Sequence, residues 1–267
     1  MGVVNVTADS FYEGSRYPAV SDAVDAALAL IEAGADIIDI GGESTRPGSE
    51  HVPASMELGR VQPVLEILRG QTEVMISVDT RKSWVAERVL ALGADVINDI
   101  SALDDEGMVD VVARASAGIV LMHMQGSPET MQQAPAYRDV VGDVSSYLRS
   151  AVDLAEAGGV ARESILVDPG IGFGKTLEHN LQLLANLERL AELGKPILVG
   201  TSRKSFIGSL LEDSSKDRVF GTAGSVAAAI LNGASVVRVH DVREMADVAC
   251  VTDAIRAASR AREEVSP

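Results

Sequence analysis

The sequence predicts a (β/α)₈ barrel that forms a single domain over residues 1–267. Short β-branched apolar runs alternate along the chain with amphipathic or Ala- and Leu-rich stretches, as in parallel βα units. Four of the helical stretches end in a glycine directly before a strand run, at Gly34, Gly93, Gly194 and Gly233. No Pro- or Ser-rich linker divides the chain. A doubly wound open sheet is the alternative, although no G-x-G-x-x-G fingerprint opens a first βα turn.

Eight runs have the length and composition of buried parallel strands. They are 2–7, 36–42, 74–80, 95–100, 118–124, 164–170, 195–202 and 235–241. The clearest helical patterns between and after them cover 21–35, 82–94, 140–159, 177–194 and about 245–263. Ser21 is the predicted N-cap of the first of these helices.

Composition and charge narrow the classes of function. Hydrophobic residues make up 46% and aromatic residues 3%, which favours a large core of aliphatic side chains. The formal net charge of −16 argues against partners such as nucleic acid or an anionic membrane. No apolar run reaches membrane length and no secretory signal is recognisable, so we expect a cytoplasmic protein. Cys250 is the only cysteine, and we expect a buried thiol in the last helix.

Polar residues stand where each strand run ends. A barrel gathers all these carboxyl ends on one face, where barrel enzymes have their active sites. Any one of these residues has an ordinary reading as a helix cap, a loop charge or a core histidine. Their presence at every strand end predicts a site. They are Asn5 and Thr7, the run 41–48, Asp79 to Arg81, Asn98 and Asp99, His123 and Gln125, Asp168, Ser202 to Lys204, and Arg238 with His240 and Asp241.

The types of charge suggest two kinds of ligand group. Asp79, Asn98 and Asp168, with Lys204, offer acceptors and donors for a flat nitrogen heterocycle with a guanidine-like edge. Arg238 interrupts the apolar run "VVRVHD", and a charge in a buried strand requires an anionic partner. Together with Arg46 and His240 it predicts a phosphate site.

Several motifs in order along the chain resemble those of the bacterial dihydropteroate synthases. They are "MGVVNVTADSF", "GGESTRPG", "ISVDT", "INDI", "LMHMQGSPETMQ", "DPGIGFGKT", "GTSRKSFIG" and "VRVHDVRE". The resemblance implies a barrel enzyme, usually a homodimer, that joins p-aminobenzoate to 6-hydroxymethyl-7,8-dihydropterin diphosphate. The products are 7,8-dihydropteroate, the folate precursor, and pyrophosphate. Mg²⁺ assists the reaction, and sulfonamides compete with p-aminobenzoate.

The resemblance also implies roles for individual positions. The pterin-binding residues are Asp79, Asn98, Met122, Asp168 and Lys204. The diphosphate-binding residues are Asn5, Thr45, Arg46, Arg238 and His240, with Asn5 also a Mg²⁺ ligand. The p-aminobenzoate-binding residues are Thr45, Pro47, Phe173 and Ser205, beside Lys204. The catalytic residues are Asp9, Phe11, Glu13, Arg46, Lys204 and Arg238.

The loop after the first strand departs from the usual family sequence. Many members read "TPDSFSDGG", whereas this chain has Ala8, Glu13 and Ser15 in "TADSFYEGSRY". We expect this loop to order only around a loaded site, where Phe11 would cover the aniline ring and exclude water.

Two other functions remain alternatives at this point. A pterin-binding methyltransferase domain shares the barrel and some pterin contacts, but does not need "SRKS", "STRPG" and "RVH" together. A pterin-binding protein without catalysis is the second, and the altered first loop is what suggests it.

Overall fold

The structure is a computed structural model that describes residues 1–6, 16–45, 48–49, 51–212 and 217–263. Its strands are β1 Gly2–Asn5, β2 Ile37–Gly41, β3 Met75–Asp79, β4 Val96–Asp99, β5 Gly118–Met122, β6 Ile165–Asp168, β7 Leu198–Val199 and β8 Val236–Val237. Its helices are α1 Arg16–Glu32, α2 Ala54–Arg69, α3 Ser83–Ala91, α4 Met108–Ala115, α5 Val140–Ala157, α6 Leu177–Ala185, α7 Glu188–Ala191, α8 Ser205–Leu211, α9 Val219–Leu231 and α10 Val242–Glu263. A short 3₁₀ helix covers Arg162–Ser164.

The strands form a closed parallel ring. β1 to β6 pair in chain order, and β7 pairs with β8. A parallel bridge between Val167 and Ile197 joins β6 to the β7 side, and another between Gly2 and Val239 joins β8 to β1. The amide of Val239 donates to the carbonyl of Met1 over 2.9 Å at this last junction. The predicted barrel is therefore confirmed, and the open-sheet alternative is wrong.

One apolar cluster lies outside the ring of strands and another lies inside it, because successive strand residues face outward and inward in turn. The larger cluster fills the space between the strands and the surrounding helices and includes the fully buried Ile38 and Ile40 of β2. The smaller cluster lies inside the ring. It consists of Met1, Ile37, Val96, Val120 and Leu198, with Leu166 and Val236 packed against it.

The predicted glycine turns are confirmed by their backbone conformation. Gly34, Gly93, Gly194 and Gly233 have φ angles of 102°, 98°, 66° and 108°. These values lie in the region that a side chain disfavours, so glycine lets the chain turn from a helix into the next strand.

Several local predictions are wrong. α1 begins at Arg16, so Ser21 lies inside the helix and is not its N-cap. The helical run at 177–194 is broken into α6 and α7 around Asn186. Cys250 is exposed and is not the buried thiol that the sequence predicts. No helix within the described ranges is both long and apolar enough to cross a membrane.

Candidate active site

Strand register places the predicted polar residues at one end of the ring. Asn5 pairs with Gly41, Gly41 with Asp79, and Asp79 with Asn98 across β1 to β4. Gly41 has no side chain, and a Cβ there would lie 3.6 Å from both Oδ1 of Asn5 and Cβ of Asp79. Asn5, Asp79 and Asn98 therefore border the same part of the ring opening.

Met122 and Asp168 form the matching pair on β5 and β6. Met122 is buried, and Asp168 is 6% exposed. The Asp168 side chain accepts a hydrogen bond of 2.7 Å from the backbone N–H of Gly170. This bond fixes one carboxylate oxygen, while the residue lies at the carboxyl end of its strand like Asp79 and Asn98.

Arg238 has two carboxylates of the protein as partners. Its Nε donates to Oδ2 of Asp39 over 2.6 Å, and its Nη2 donates to Oδ2 of Asp79 over 3.1 Å. Burial lowers the pKa of Arg238, but the two aspartates outweigh burial and raise it above the ordinary value. The charge inside the apolar run is thus neutralised by the protein itself. The predicted contact with a phosphate stays a prediction.

Asp79 and Asp168 both prefer a proton more than an exposed aspartate does. Burial raises the pKa of Asp79 to about 8, with Arg238 opposing the shift and Asp39 adding to it. Burial also raises the pKa of Asp168, against Lys204, the Gly170 amide, Lys175 and Arg238. Both carboxyls therefore favour ligands that bring N–H donors or positive charge into the ring opening.

Lys204 links the pterin-binding residues to the residues predicted to contact p-aminobenzoate. Its Nζ donates to the carbonyl of Ile171 and lies 4.7 Å from the centre of the Phe173 ring. Burial lowers the pKa of Lys204 to about 8, while Asp168 favours its charged form. Lys204 therefore stands between a carboxylate and an aromatic ring.

The remaining predicted residues surround this group less closely. His240 is exposed, and its Nδ1 lies 3.0 Å from Oγ of Ser202. Ser205 is the exposed first residue of α8. Thr45 borders a cavity of about 140 Å³ that also contacts Arg81 and Ser127. None of the predicted pterin-binding residues lines this cavity.

Part of the predicted site lies outside the described residues. This applies to Asp9, Phe11, Glu13, Arg46 and Pro47, and to the closing of the first loop. Their roles stay predictions.

Sequence reasoning missed two charged residues near the site. Asp39 lies inside the run "DIIDIGG" and is 0% exposed. Lys175 is buried, with its Nζ 3.0 Å from Nδ1 of His123 and donating to the carbonyl of Phe173 over 2.9 Å. Burial lowers the pKa of Lys175 to about 7 and that of His123 to about 3. A charge within an apolar run was the available signal for Asp39, and it is the same signal that identified Arg238.

Comparison with known proteins agrees with this arrangement. The family model for pterin binding enzymes matches residues 1–240. The dihydropteroate synthase of Synechocystis sp. is 46% identical over 257 residues, which cover 96% of this chain and 89% of the relative. That of Neisseria meningitidis serogroup B is 48% identical over 265 residues, which cover 96% and 92%.

Solved structures of dihydropteroate synthases are also similar to this chain. The Yersinia pestis dihydropteroate synthase in a sulfonamide drug complex superposes with a TM-score of 0.90 at 42% identity, covering 96% of this chain and 94% of that one. The Xanthomonas albilineans dihydropteroate synthase with 4-aminobenzoic acid gives 0.89 at 46% identity, covering 96% and 92%. The Xanthomonas albilineans enzyme in complex with 7,8-dihydropteroate gives 0.84 at 44% identity, covering 96% and 93%.

Proposed function

The chain belongs to the dihydropteroate synthase family, and we propose that it joins 6-hydroxymethyl-7,8-dihydropterin diphosphate to p-aminobenzoate. The products are 7,8-dihydropteroate and pyrophosphate. The observation that carries the proposal is the group of two buried carboxylates and two partly buried cations at the carboxyl ends of the strands: Asp79, Asp168, Lys204 and Arg238. We further propose that residues 1–267 form one pterin-binding domain with its active site at this end of the barrel.

The pterin ring would lie among Asp79, Asn98, Met122, Asp168 and Lys204. A carboxylate accepts hydrogen bonds from an amino group and an adjacent ring N–H, which is the edge a pterin offers. The buried Met122 supplies an apolar wall. Positive charge that develops on the dihydropterin during the reaction would favour the ionised forms of Asp79 and Asp168, and the ionised carboxylates would in turn stabilise that charge.

The diphosphate would lie over Arg238 and His240, with Asn5, Thr45 and Arg46 around it. Nη1 of Arg238 makes no hydrogen bond within the described residues, so it is available to donate to a phosphate oxygen. In the SN1-like reaction the bond from the methylene carbon to the diphosphate oxygen breaks, and the electron pair leaves with the pyrophosphate. Fixed cations aimed at this developing charge lower the barrier.

Asn5 fits a Mg²⁺ site that depends mostly on the substrate. Within the described part of the chain, no three His, Cys, Asp or Glu side chains are grouped to hold a metal. The exposed side chain of Asn5 ends β1 with an amide oxygen, which is a hard ligand. Magnesium sites with few protein ligands are completed by phosphate and water oxygens. A bound Mg²⁺ would neutralise negative charge on the leaving diphosphate.

The p-aminobenzoate would lie beside Lys204 and Phe173, with Ser205, Thr45 and Pro47 nearby. Its amine is neutral at pH 7, so no strong base is needed before the nitrogen attacks the carbon. The new C–N bond forms, and the nitrogen then releases a proton. Asp9, Phe11 and Glu13 would close the first loop over the loaded site and keep water from competing as nucleophile.

We propose a homodimer in the cytoplasm as the working form of the protein. α9 and α10 pack against each other and leave large apolar side chains exposed, among them Phe220 at 86% and Val251 at 61%. Such a surface on neighbouring helices is typical of a protein contact. A chain with a single cysteine has no internal disulfide and suits a reducing compartment.

A mixing experiment with radiolabelled p-aminobenzoate tests the proposed reaction. The protein, pterin diphosphate and Mg²⁺ should incorporate the label into pteroate and release pyrophosphate in equal amount. Transfer of a methyl group from a methylpterin instead would establish the methyltransferase alternative. Binding of the pterin without any product would establish a protein that has lost catalysis.

A further inference from the structure

We propose that Asp39 is a positioning residue that orients Arg238, and with it Asn98, toward the substrate. The inference rests on the proposed function, because it assigns a role to Asp39 in that same site. No role for Asp39 follows from the motifs that identify the family, since the residue lies within a strand and not at its end.

Asp39 lies one inward-facing level below the ring opening. On β2, Asp39 pairs with Ser77 of β3, and Gly41 pairs with Asp79. Asp39 is 0% exposed, whereas Asp79 is 7% exposed. A ligand in the ring opening would therefore meet Asp79 first, and Asp39 would act through the side chains that it contacts.

The contacts of Asp39 lead to two residues of the proposed site. Its Oδ2 accepts 2.6 Å from Nε of Arg238 and 3.2 Å from Nδ2 of Asn98. An arginine held at Nε has its guanidinium plane fixed, and Nη1 is left for a ligand. An asparagine that donates through Nδ2 presents Oδ1 as its remaining acceptor. One buried oxygen thus sets the direction of a cation and of an amide.

The burial of Asp39 indicates that this arrangement serves binding. A buried ion pair is weak evidence for stability, since well-packed apolar side chains of similar volume serve the fold as well or better. Oδ1 of Asp39 has no hydrogen-bond partner among the described residues, and neither has Oγ of its register neighbour Ser77. A buried carboxylate oxygen without a hydrogen-bond partner destabilises the fold. The orientation that Asp39 gives to Arg238 explains why a carboxylate occupies this position.

Asp79 cannot replace Asp39 in orienting Arg238. It contacts Arg238 through Nη2 only, and it is itself proposed to bind the pterin. The pKa of Asp79 is raised to about 8 by burial, so its charge depends on pH near neutrality. Asp39 is the partner at Nε, next to the point where the side chain leaves the strand.

A double-mutant cycle tests the inference with calorimetric titrations of pterin diphosphate in the presence of Mg²⁺. Asp39→Asn keeps the shape of the side chain and removes its charge, and it should weaken binding about tenfold to a hundredfold. In an Arg238→Met background the same substitution should add about threefold or less, because residues that act as a unit are not additive. Ser77→Ala is the matched control. It is equally buried and is the register neighbour of Asp39, and it should bind like the wild type.

The results of these titrations support or refute the role of Asp39. A loss from Asp39→Asn that is as large with Arg238→Met as without it would overturn the inference, and so would wild-type affinity of Asp39→Asn. If Asp39→Asn does not fold, Asp39→Glu carries the test. It keeps the charge but moves it by a methylene, so it should weaken binding, and wild-type affinity would refute the proposal. A wild-type protein that binds no pterin diphosphate would instead refute the proposed function, and the inference with it.

Discussion

The two ends of the barrel interior differ in chemistry although the same strands build both. At the amino ends, Met1, Ile37, Val96, Val120 and Leu198 fill the ring with apolar side chains. Toward the carboxyl ends, the inward positions two residues after Ile37, Val96 and Val236 are Asp39, Asn98 and Arg238. Within a single strand, the interior therefore changes from packing to charge.

This difference separates the residues that stabilise the fold from the residues that bind the ligand. Apolar side chains that leave water stabilise the fold at about 25 cal/mol per Å² of buried surface. Buried charges have the opposite tendency unless they are paired, and the pairing here involves Asp39, Asp79 and Arg238. Substitutions at the apolar end should therefore act on unfolding, and substitutions at the charged end should act on the ligand.

Leu198→Ala should have the largest effect on stability. Leu198 is fully buried inside the ring, and truncation of such a leucine lowers the free energy of unfolding by about 2–5 kcal/mol. Urea unfolding measures this loss, and calorimetry at low temperature should show nearly unchanged affinity for pterin diphosphate. A large drop in affinity of the folded variant would break the division between the two ends.

Arg238→Met should separate the two parts of the substrate. The variant should lose about tenfold or more in affinity for pterin diphosphate, which corresponds to about 1.4 kcal/mol. Its affinity for the unphosphorylated pterin alcohol should change much less. Titration of both ligands measures the difference. Equal losses for both would mean that Arg238 serves the protein's own carboxylates, Asp39 and Asp79, and not the diphosphate.

The pH dependence of stability should show the titration of Asp79. Its pKa is raised to about 8 in the folded protein by burial, above an ordinary value near 4 in the unfolded chain. The folded state therefore holds the proton more tightly. The contribution of Asp79 to stability is complete below pH 4 and is lost as the pH rises toward 8.

Asp79→Asn removes this titration and is the reference protein for the measurement. Between pH 5 and pH 8 the wild type should lose stability relative to Asp79→Asn in urea unfolding. A difference between the two proteins that stays constant across this range would refute the assigned pKa shift.

The fold could be predicted from the sequence because its signals are local. Buried parallel strands read as short apolar runs, and the turn glycines at Gly34, Gly93, Gly194 and Gly233 mark where they begin. The predicted strand runs extend beyond the last paired residues. Residues such as Pro169 and Gly170 follow the last paired residue of β6, and nothing in the sequence shows where the ladder stops.

The site could be predicted as a set of residues but not as a set of contacts. Polar residues at strand ends gather on one face of a barrel, and this rule identifies five of the site residues. They are Asp79, Asn98, Asp168, Lys204 and Arg238. Their pairing could not be read from the sequence, because the bond from Arg238 to Asp39 joins positions 199 residues apart. Burial determines which of these side chains have a shifted pKa, and burial is known only once the chain is folded.

The affinity of Asp168→Ala for pterin diphosphate, measured by calorimetry on folded protein, tests whether the pterin binds at the carboxyl ends of the strands. Asp168 accepts from the Gly170 amide and lies at the carboxyl end of β6. Loss of a charged acceptor for the pterin edge should weaken binding by about 2–4 kcal/mol, or orders of magnitude in affinity. We predict this loss together with a fold that survives. Wild-type affinity in the folded variant would remove Asp168 from the pterin site and would contradict this position of the pterin.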